Sequence, residues 1–526
     1  MSKIIENNPK TTDEIFTGWR DTDQPIKNYI KAIQINQAIL FLGKAGVGKS
    51  VALKQTREWF ESQDECVGVV SYTGTGAMNV GGRTINSLFR IRPAYEGGNE
   101  LVPEIIPASC VAARENTQDW FFLKASLKDL TVILIDEVSM LGGSILREMD
   151  FAMKKAKHSS EFMGGCKVIM FGDFFQLGPV KDSWLFNHEL ISELIVYDRL
   201  KVIEPTEVYR QDSKEFLETL GYIREGFASM TKEQEKNVFS FLSSKVTEKR
   251  PKNTIVLAGA NNIADKYNLT ELAKLKAKAY TLKFHIEGQA IKLKDSDKGA
   301  TKDILSLKRG ARIVFTRNDA IGRYCNGSTG TFIGPYSELK KYIEQMREEK
   351  GEEYSEMASL VTEQNKTDLM IYQSQLVEKK NQVSISMKDE NIMVCYVDGY
   401  NMPILVPKKV MFEECNSKAI EKKKKNGGTY TVYEKIVIAE YWHWDFVLGY
   451  AITIHKSQGM TLPSAYIDFT KKNGVGVWAG DGSVYTALSR IKTPEGVFLR
   501  HPIPLRIITT SPEVTKFFNK IRKNNN

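Results

Sequence analysis

The chain has 526 residues, more than a single hydrophobic core normally organises, so several domains are expected. Its 73 Lys and Arg exceed its 64 Asp and Glu, and the net charge of +9 suits a polyanionic partner without identifying one. The six cysteines form no C-x-x-C pair, the N-terminus has no long apolar segment, and no run of eighteen apolar residues occurs. A zinc module, secretion and a membrane-spanning helix are therefore disfavoured, and a cytoplasmic protein is predicted.

The first element with a chemical signature lies at residues 38–60. An apolar run, "AILFL", precedes "GKAGVGKS", and the helical pattern "SVALKQTREWF" follows, as in a phosphate-binding P-loop. Backbone N–H groups of such a loop hold phosphates, Lys49 reaches the β- and γ-phosphates, and the Ser50 hydroxyl binds Mg²⁺. The residues expected to contact the nucleotide are Gly43, Gly46, Val47, Gly48, Lys49 and Ser50.

Four apolar runs between residues 38 and 173 predict a parallel sheet. They are "AILFLG", "VGVVSYTG", "TVILIDE" and "CKVIMFGD", separated by helix-length segments. Between the second and third runs, "RIRPAYEGGNELVPEIIPASC" has prolines and glycines that break any periodic pattern, so a small excursion from the sheet is expected there.

Two of these runs end in residues suited to phosphate chemistry. Asp136 and Glu137 close the third run, where a P-loop enzyme needs one carboxylate for Mg²⁺ and another to orient or deprotonate water. Gln176 follows Asp173 at the end of the fourth run, where it can sense the γ-phosphate. The alternative is that these residues are polar strand ends without a function. The P-loop that precedes them in the chain makes this alternative less favoured.

A second alternating region begins near "KVIEPTEVYRQ" and "NTIVLAGANN" and resumes in "LGYAITIHKSQG", "AYIDF" and "GVFLRH". This spacing predicts one sheet interrupted by an insertion at about 318–445. Short β-strands around Gly-rich turns in the insertion indicate a small barrel. Residues 336–381 are instead charge-dense and helical in pattern, and "EKKKKNGG" is interpreted as a solvated hairpin tip or, second, as a phosphate contact.

Two arginines of this second region, Arg210 in "VYRQ" and Arg490 in "ALSR", are candidate arginine fingers. Positive charge aimed at the transferred phosphoryl group accelerates hydrolysis, and an arginine from a second domain would make hydrolysis depend on closure. Without the surrounding motifs, a surface ion pair would be the preferred interpretation of either residue.

The ordered motifs across residues 24–500 resemble those of the Pif1-like helicases of superfamily 1B. "GKAGVGKS" resembles motif I, "TGTGAMNVGGRTINSLF" Ia and Ib, "LIDEVSML" II, "FGDFFQLGPV" III, "VYRQDSKEFLETLGYIREG" IV, "YAITIHKSQGMTL" V and "VYTALSRIKTPEGV" VI. Two positions depart from the family pattern: Asn86 stands where the family usually has His, and Gly178 where it has Pro.

The resemblance implies an α/β protein with two RecA-like P-loop domains of parallel sheets. The first spans 1–200 with a wedge subdomain at about 90–115, and the second spans 201–317 and 446–526 around an SH3-like β-barrel insertion at 318–445. ATP and Mg²⁺ are the implied cofactors. Gln24 would contact adenine, with Gln34 and Gln37 kept as alternatives.

The implied partner is DNA, both a single strand and a duplex or fork, on which the protein would act as a monomer moving 5′→3′. Phosphate contacts need hydroxyls, amides and cations, and bases need a surface on which to stack. For Phe174 and Tyr95, which could stack on bases, a core position is the more common alternative. The candidate strand contacts are Thr73, Gly74, Thr84, Asn86, Ser87, Phe174, His455, Lys456 and Ser457, with Gln458 and Gly459 facing the nucleotide.

The leading hypothesis is therefore an ATP-dependent DNA helicase in which ATP closes two domains. One alternative is a RecD-type or relaxase-associated motor, against which "HKSQG" and "ALSR" without a nuclease segment argue. The other is a nucleotide-gated DNA-binding or loading ATPase that does not unwind, and an intact Glu137 with two distal arginines argues against it.

Overall fold

A computed structural model gives the structure of the chain. It describes residues 10–20, 23–73, 76–77, 80–89, 91, 118–205, 207–209, 214–252, 254–283, 285–288, 304–316, 319, 322–324, 328–338, 385–386, 388–399, 403–423 and 429–524. The chain divides into two compact units, one of residues 1–263 with 453–526 and the other of residues 264–452.

The described strands and helices follow in chain order. The strands are β1 Ala38–Leu42, β2 Val67–Ser71, β3 Arg83–Thr84, β4 Val132–Asp136, β5 Lys167–Gly172, β6 Leu200–Ile203, β7 Ile255–Ala258, β8 Ala279–Lys283, β9 His285–Gly288, β10 Ile304–Lys308, β11 Arg312–Phe315, β12 Thr329–Pro335, β13 Ile385–Ser386, β14 Ile392–Val397, β15 Pro403–Lys423, β16 Thr429–His443, β17 Phe446–Leu448, β18 Ala451–Thr453, β19 Ala465–Asp468 and β20 Val497–Leu499. The α-helices are Thr12–Ile15, Gln24–Ile35, Lys49–Ser62, Ile85–Phe89, Gln118–Leu127, Gly143–Lys157, Glu189–Val196, Lys214–Glu225, Lys232–Ser244, Asn261–Lys274, Ser483–Ser489 and Pro512–Asn524.

The first sheet has the order β3-β2-β4-β5-β1-β6, and every pair in it is parallel. All five residues of β1 and of β4 are buried, as expected of central strands covered on both faces. The four predicted runs form β1, β2, β4 and β5. One expectation was wrong: the run "KVIEP" does not open the second sheet, because β6 pairs with β1 at the edge of the first.

A second sheet has the order β18-β7-β19-β20, and its strands β7, β19 and β20 belong to the first unit. β19 lies parallel to both β7 and β20, although β7 and β19 are far apart in the chain. The prediction of one sheet interrupted by an insertion is confirmed.

The second unit is an antiparallel sheet of order β17-β11-β12-β14-β15-β16-β9, with β13 beside β15 and a separate pair β8–β10. The long hairpin β15–β16 ends at the pair Lys423 and Thr429, so "EKKKKNGG" lies at its tip, and residues 424–428 fall outside the described chain. The SH3-like barrel and the domain boundaries stay predictions. Residues 339–381 of the charged block predicted at 336–381, and all of the wedge predicted at 90–115 except residue 91, are also outside the described residues.

Among the described helices, none combines the length and the apolar character that crossing a membrane requires.

Candidate nucleotide-binding and catalytic site

The P-loop joins the end of β1 to the helix Lys49–Ser62. Gly46 and Gly48 have φ of 87° and 84°, the left-handed region that favours glycine. A Cβ on Gly48 would come within 2.6 Å of the Trp19 ring, so the position also excludes a side chain by space. Backbone N–H groups at this helix N-terminus suit an anion.

Lys49 lies within this loop. Its Nζ donates to the carbonyl oxygens of Gly43 at 2.7 Å and Lys44 at 3.0 Å. Burial lowers the pKa of Lys49, and the carboxylates of Asp173 and Glu137 oppose that shift. The ammonium is thus poised where phosphate oxygens could replace the two carbonyls.

Asp136 is the last residue of β4 on the first sheet, and Glu137 follows it. Burial, and next the charge of Glu137, raise the pKa of Asp136 to about 7. Glu137 has φ of 53°, which a residue other than glycine adopts at a cost in conformational energy. A divalent cation would favour the ionised form of Asp136, and the oxygens of Asp136 and Ser50 are ligands that Mg²⁺ prefers, so this donor set fits the ion.

Arg490 brings a buried guanidinium from the second sheet to these residues. It follows the helix Ser483–Ser489, and its Nη2 donates to Oε1 of Gln176 at 3.1 Å. Its Nη1 lies 4.0 Å from Oε1 of Glu137. The structure therefore brings together three of the residues predicted from separate motifs, while Arg210 lies outside the described chain.

Beside them lies a buried hydrogen-bond network that the sequence analysis did not predict. Arg224 donates its Nε to both oxygens of Asp173, at 3.0 and 3.1 Å. The Tyr485 hydroxyl donates to Oδ2 of Asp173 at 2.8 Å and accepts the Ala45 N–H of the P-loop at 3.1 Å. This network connects the helix that precedes Arg490 to the P-loop.

The sequence contained one signal for this network. In the helix Lys214–Glu225 the buried apolar positions include Leu217 and Leu220. Arg224 follows Leu220 by four residues, so this arginine lies on the apolar face of the helix. A charge at such a position needs a buried partner. Tyr485 carried no signal, since an aromatic in an apolar helix is usually core.

Tyr209 connects the predicted adenine contact to the P-loop. Its N–H donates to the carbonyl of Gly46 at 2.9 Å, and its hydroxyl donates to Asp23 at 2.9 Å. Asp23 caps the helix that begins at Gln24, so Gln24 lies at the helix end nearest the loop. Trp19 packs edge-on against Tyr209 with ring centroids 5.0 Å apart.

The alternative Gln37 is engaged elsewhere. Its Nε2 donates to the carbonyl of Phe162 and its Oε1 accepts from Arg199. It precedes β1, whereas the P-loop follows β1, so Gln37 lies at the opposite edge of the sheet. Gln34 is exposed near the C-terminal end of its helix.

One predicted strand contact, Thr73, lies beside one predicted nucleotide contact, Gly459. The hydroxyl of Thr73, after β2, accepts the Gly76 N–H at 3.0 Å. Gly459 has φ of 78°, and a Cβ there would come within 3.2 Å of both groups. The loops that follow β2 and β18 therefore touch.

Other candidate contacts differ in accessibility. His455 and Lys456 are exposed, as is Asn86, and Thr84 is partly buried. Ser457 corrects an expectation: it is buried and its hydroxyl donates to Ile454, so that hydroxyl does not face a phosphate. Gln458 is also buried, and its Nε2 donates to the Leu177 carbonyl at 3.4 Å.

Phe174 requires a second correction. It is 1% exposed and packs against Trp184, Phe186 and Phe517 with ring centroids 5.1 to 5.9 Å apart, so it belongs to the core and offers no face to a base.

The Trp184 ring also gives a reason for the glycine at position 178, where the family usually has Pro. A Cβ on Gly178 would come within 2.6 Å of this ring. Gly74, Tyr95 and the side chain of Ser87 lie outside the described residues.

Known proteins resemble the chain over nearly its whole length. Residues 23–236 match the family model of the PIF1-like helicases. The ATP-dependent DNA helicase Pif1 of Campylobacter jejuni is 25% identical over 476 residues, which cover 87% of this chain and 87% of that protein. The protein of the same name from Bdellovibrio bacteriovorus is 23% identical, covering 93% of this chain and 89% of its own.

Solved structures share the fold. Bacteroides Pif1 bound to ssDNA has a TM-score of 0.62 at 23% identity and covers 96% of this chain and 97% of its own. The Pif1 helicase of Candida albicans has a TM-score of 0.65 at 19% identity, covering 96% and 100%. The predicted α/β fold with RecA-like domains is confirmed.

Proposed function

We propose that this chain is a PIF1-like helicase, which uses ATP to move 5′→3′ along single-stranded DNA and to unwind the duplex ahead. The observation that carries the proposal is the meeting of Arg490 with Glu137 and Gln176. A site completed by a residue of the second sheet makes turnover depend on the arrangement of both sheets, which is what a motor needs.

The residues of the site divide the work of hydrolysis. The P-loop amides and Lys49 hold the phosphates, and Glu137 orients the attacking water. Ser50 and Asp136 would hold Mg²⁺, which would supply positive charge to offset that of the phosphates. Arg490 places its guanidinium where charge develops on the transferred phosphoryl group, and Gln176 holds that guanidinium.

Movement follows if the nucleotide changes the distance between two grips on the strand. We place one grip at Thr73 in the first sheet and the other at His455 and Lys456 in the second. The contact of Gly459 with Thr73 supports this path, since it puts the two groups of residues side by side. ATP would draw the grips together, and product release would let one advance.

Strand displacement tests the proposal directly. Duplexes carrying only a 5′ or only a 3′ single-stranded tail are mixed with the protein, ATP and Mg²⁺. We expect unwinding from the 5′ tail alone, and none from either tail with Lys49→Ala, which loses its phosphate contact. Unwinding from the 3′ tail would reverse the proposed polarity, and turnover without displacement from either tail would favour the loading ATPase.

The number of copies at work is part of the proposal. We expect one copy to suffice on a short tail, so the displacement rate should rise linearly with protein concentration before saturation. A second-order rise, or two copies per tail by mass photometry, would contradict it.

A further inference from the structure

A basic groove lies apart from the nucleotide site. It is a cavity of about 940 Å³ between the turns Phe227–Ser229 and Leu505–Ile507 and the helix Pro512–Asn524. None of the P-loop residues lines it, and neither does Glu137 or Arg490.

The rim of the groove carries uncompensated positive charge. Lys516, Lys520 and Lys523 recur at spacings of four and three, so they share one face of the helix, and Arg506 stands on the facing turn. All four are exposed, and none forms an ion pair within the described part of the chain. Like charges this close repel one another, so the groove favours an anionic occupant.

The acidic residue of the lining does not neutralise the rim. Glu225 lies 3.1 Å from Arg224, which also pairs with Asp173, and 3.3 Å from Arg522. Its charge is therefore already shared between two guanidinium groups.

The floor of the groove is apolar. Its apolar residues are Phe227, which is partly buried, Ile508, which is buried, and Ala228 and Pro512, and the uncharged polar residues of the lining are Ser229, Thr509, Thr510, Thr515 and Asn519. A phosphate backbone would use the lysines and leave this floor unfilled, whereas a peptide that carries apolar side chains between its carboxylates would fill both. We propose that the basic groove binds an acidic segment of a partner protein in which carboxylates alternate with apolar side chains.

The helix that forms one wall is firmly placed. On its inner face Phe517 packs on Phe174 and Phe518 on Phe175, with ring centroids 5.8 and 4.8 Å apart. A peptide on its outer face would thus lie one aromatic layer from the loop that carries Gln176. The proposal does not depend on the polarity or the unwinding activity proposed above.

Fluorescence anisotropy tests it with the full chain and a fluorescein-labelled ten-residue peptide of alternating Asp and Phe or Leu. The groove variant is Lys516→Glu with Lys520→Glu. Its matched control is Lys232→Glu with Lys236→Glu, the same spacing and charge change on the exposed face of another helix of the same unit. We expect about tenfold weaker binding in the groove variant and unchanged binding in the control.

Three results would overturn the proposal. They are equal loss in both variants, no loss in either, and full affinity for a peptide with Ser in place of Phe and Leu. A labelled oligothymidine that loses more affinity than the peptide in the groove variant would reassign the surface to nucleic acid. Should the double variant unfold, Arg506→Gln, a single exposed change, replaces it with the same expected direction.

Discussion

Arg490 combines three properties at the scale of one residue: it is buried, it comes from the second sheet, and it meets Gln176 and Glu137. We predict that Arg490→Ala lowers the strand-stimulated kcat by about 10³-fold, the order that an arginine finger contributes, while ATP binding weakens far less. Arg490→Lys should restore little of the activity, because the point charge of an ammonium group cannot replace the planar, forked guanidinium group. Steady-state ATPase and nucleotide titration measure the two effects.

The control for this prediction is Arg506→Ala, an exposed arginine of the same C-terminal region, which should keep normal turnover. A folded Arg490→Ala protein with near-normal kcat would show that Arg490 is an ion-pair partner and no finger.

Tyr485 is the second residue whose contacts make a prediction. Its hydroxyl accepts the Ala45 N–H and donates to Asp173, so Tyr485→Phe removes the acceptor of a P-loop amide and a donor to a buried carboxylate. An unsatisfied buried group costs about 1–3 kcal/mol. We expect a lower unfolding midpoint together with weaker ATP affinity, since the P-loop loses a tether.

Tyr466→Phe is the matched control, because Tyr466 also donates from a buried ring, at 3.3 Å to the carbonyl of Thr247, a residue outside the predicted nucleotide site. Both variants should lose some stability, and only Tyr485→Phe should lose ATP affinity. Equal ATP affinity in the two would assign Tyr485 a purely structural role.

At the scale of elements, the loop after β5 and the helix Pro512–Asn524 are joined by an aromatic layer centred on Phe174. Phe174→Ala should lower the free energy of unfolding by about 3–5 kcal/mol, because a buried ring leaves a cavity. Phe239→Ala, at a ring 56% exposed on a different helix, should cost far less. Urea denaturation followed by tryptophan fluorescence compares them.

A second variant at the same position tests whether Phe174 is a core residue or a residue on which bases stack. Phe174→Leu keeps most of the core volume but removes the ring. Base stacking contributes about 1–3 kcal/mol per base, so a stacking ring would show as a matching loss of single-strand affinity. We expect unchanged affinity.

Elements were predictable where local pattern decides them. The buried strands β1, β4 and β5 are continuous apolar runs between turn residues, and the P-loop glycines mark a positive-φ turn that few other residues could form. β6 was assigned to the wrong sheet, because its four residues indicate a strand but do not indicate which sheet edge the strand joins. Pairing depends on contacts distant in the chain.

The site was predictable in its residue types and only partly in its contacts. Glu137, Gln176 and Arg490 belong to recognisable motifs, so their meeting could be expected. Ser457 stands in an equally recognisable motif, yet its hydroxyl turns inward to Ile454, and a sequence does not state the direction of one side chain. The pairing of Arg224 with Asp173 required the tertiary structure.

At the scale of the whole molecule, the nucleotide site is assembled from both ends of the chain. β7 and β19 lie side by side although the second unit, residues 264–452, separates them in sequence. Arg490 and Tyr485 reach the P-loop only because this sheet forms. Changes that loosen the second sheet should therefore lower turnover without touching a catalytic residue.

The net charge of +9 and the exposed loop at His455 and Lys456 support a last prediction for the whole molecule. If phosphate contacts dominate, single-strand affinity should fall steeply with salt and change little with base sequence, and each contact should contribute about 0.7 to the log–log slope. Lys456→Gln should lower that slope by about one contact, and Lys236→Gln, an exposed lysine on another helix, should leave it unchanged. Anisotropy of labelled oligothymidine and of a mixed-sequence strand, from low to high salt, measures both. A flat response, or equal slopes for the two variants, would mean that the strand does not pass over the loop that holds Gly459 against Thr73.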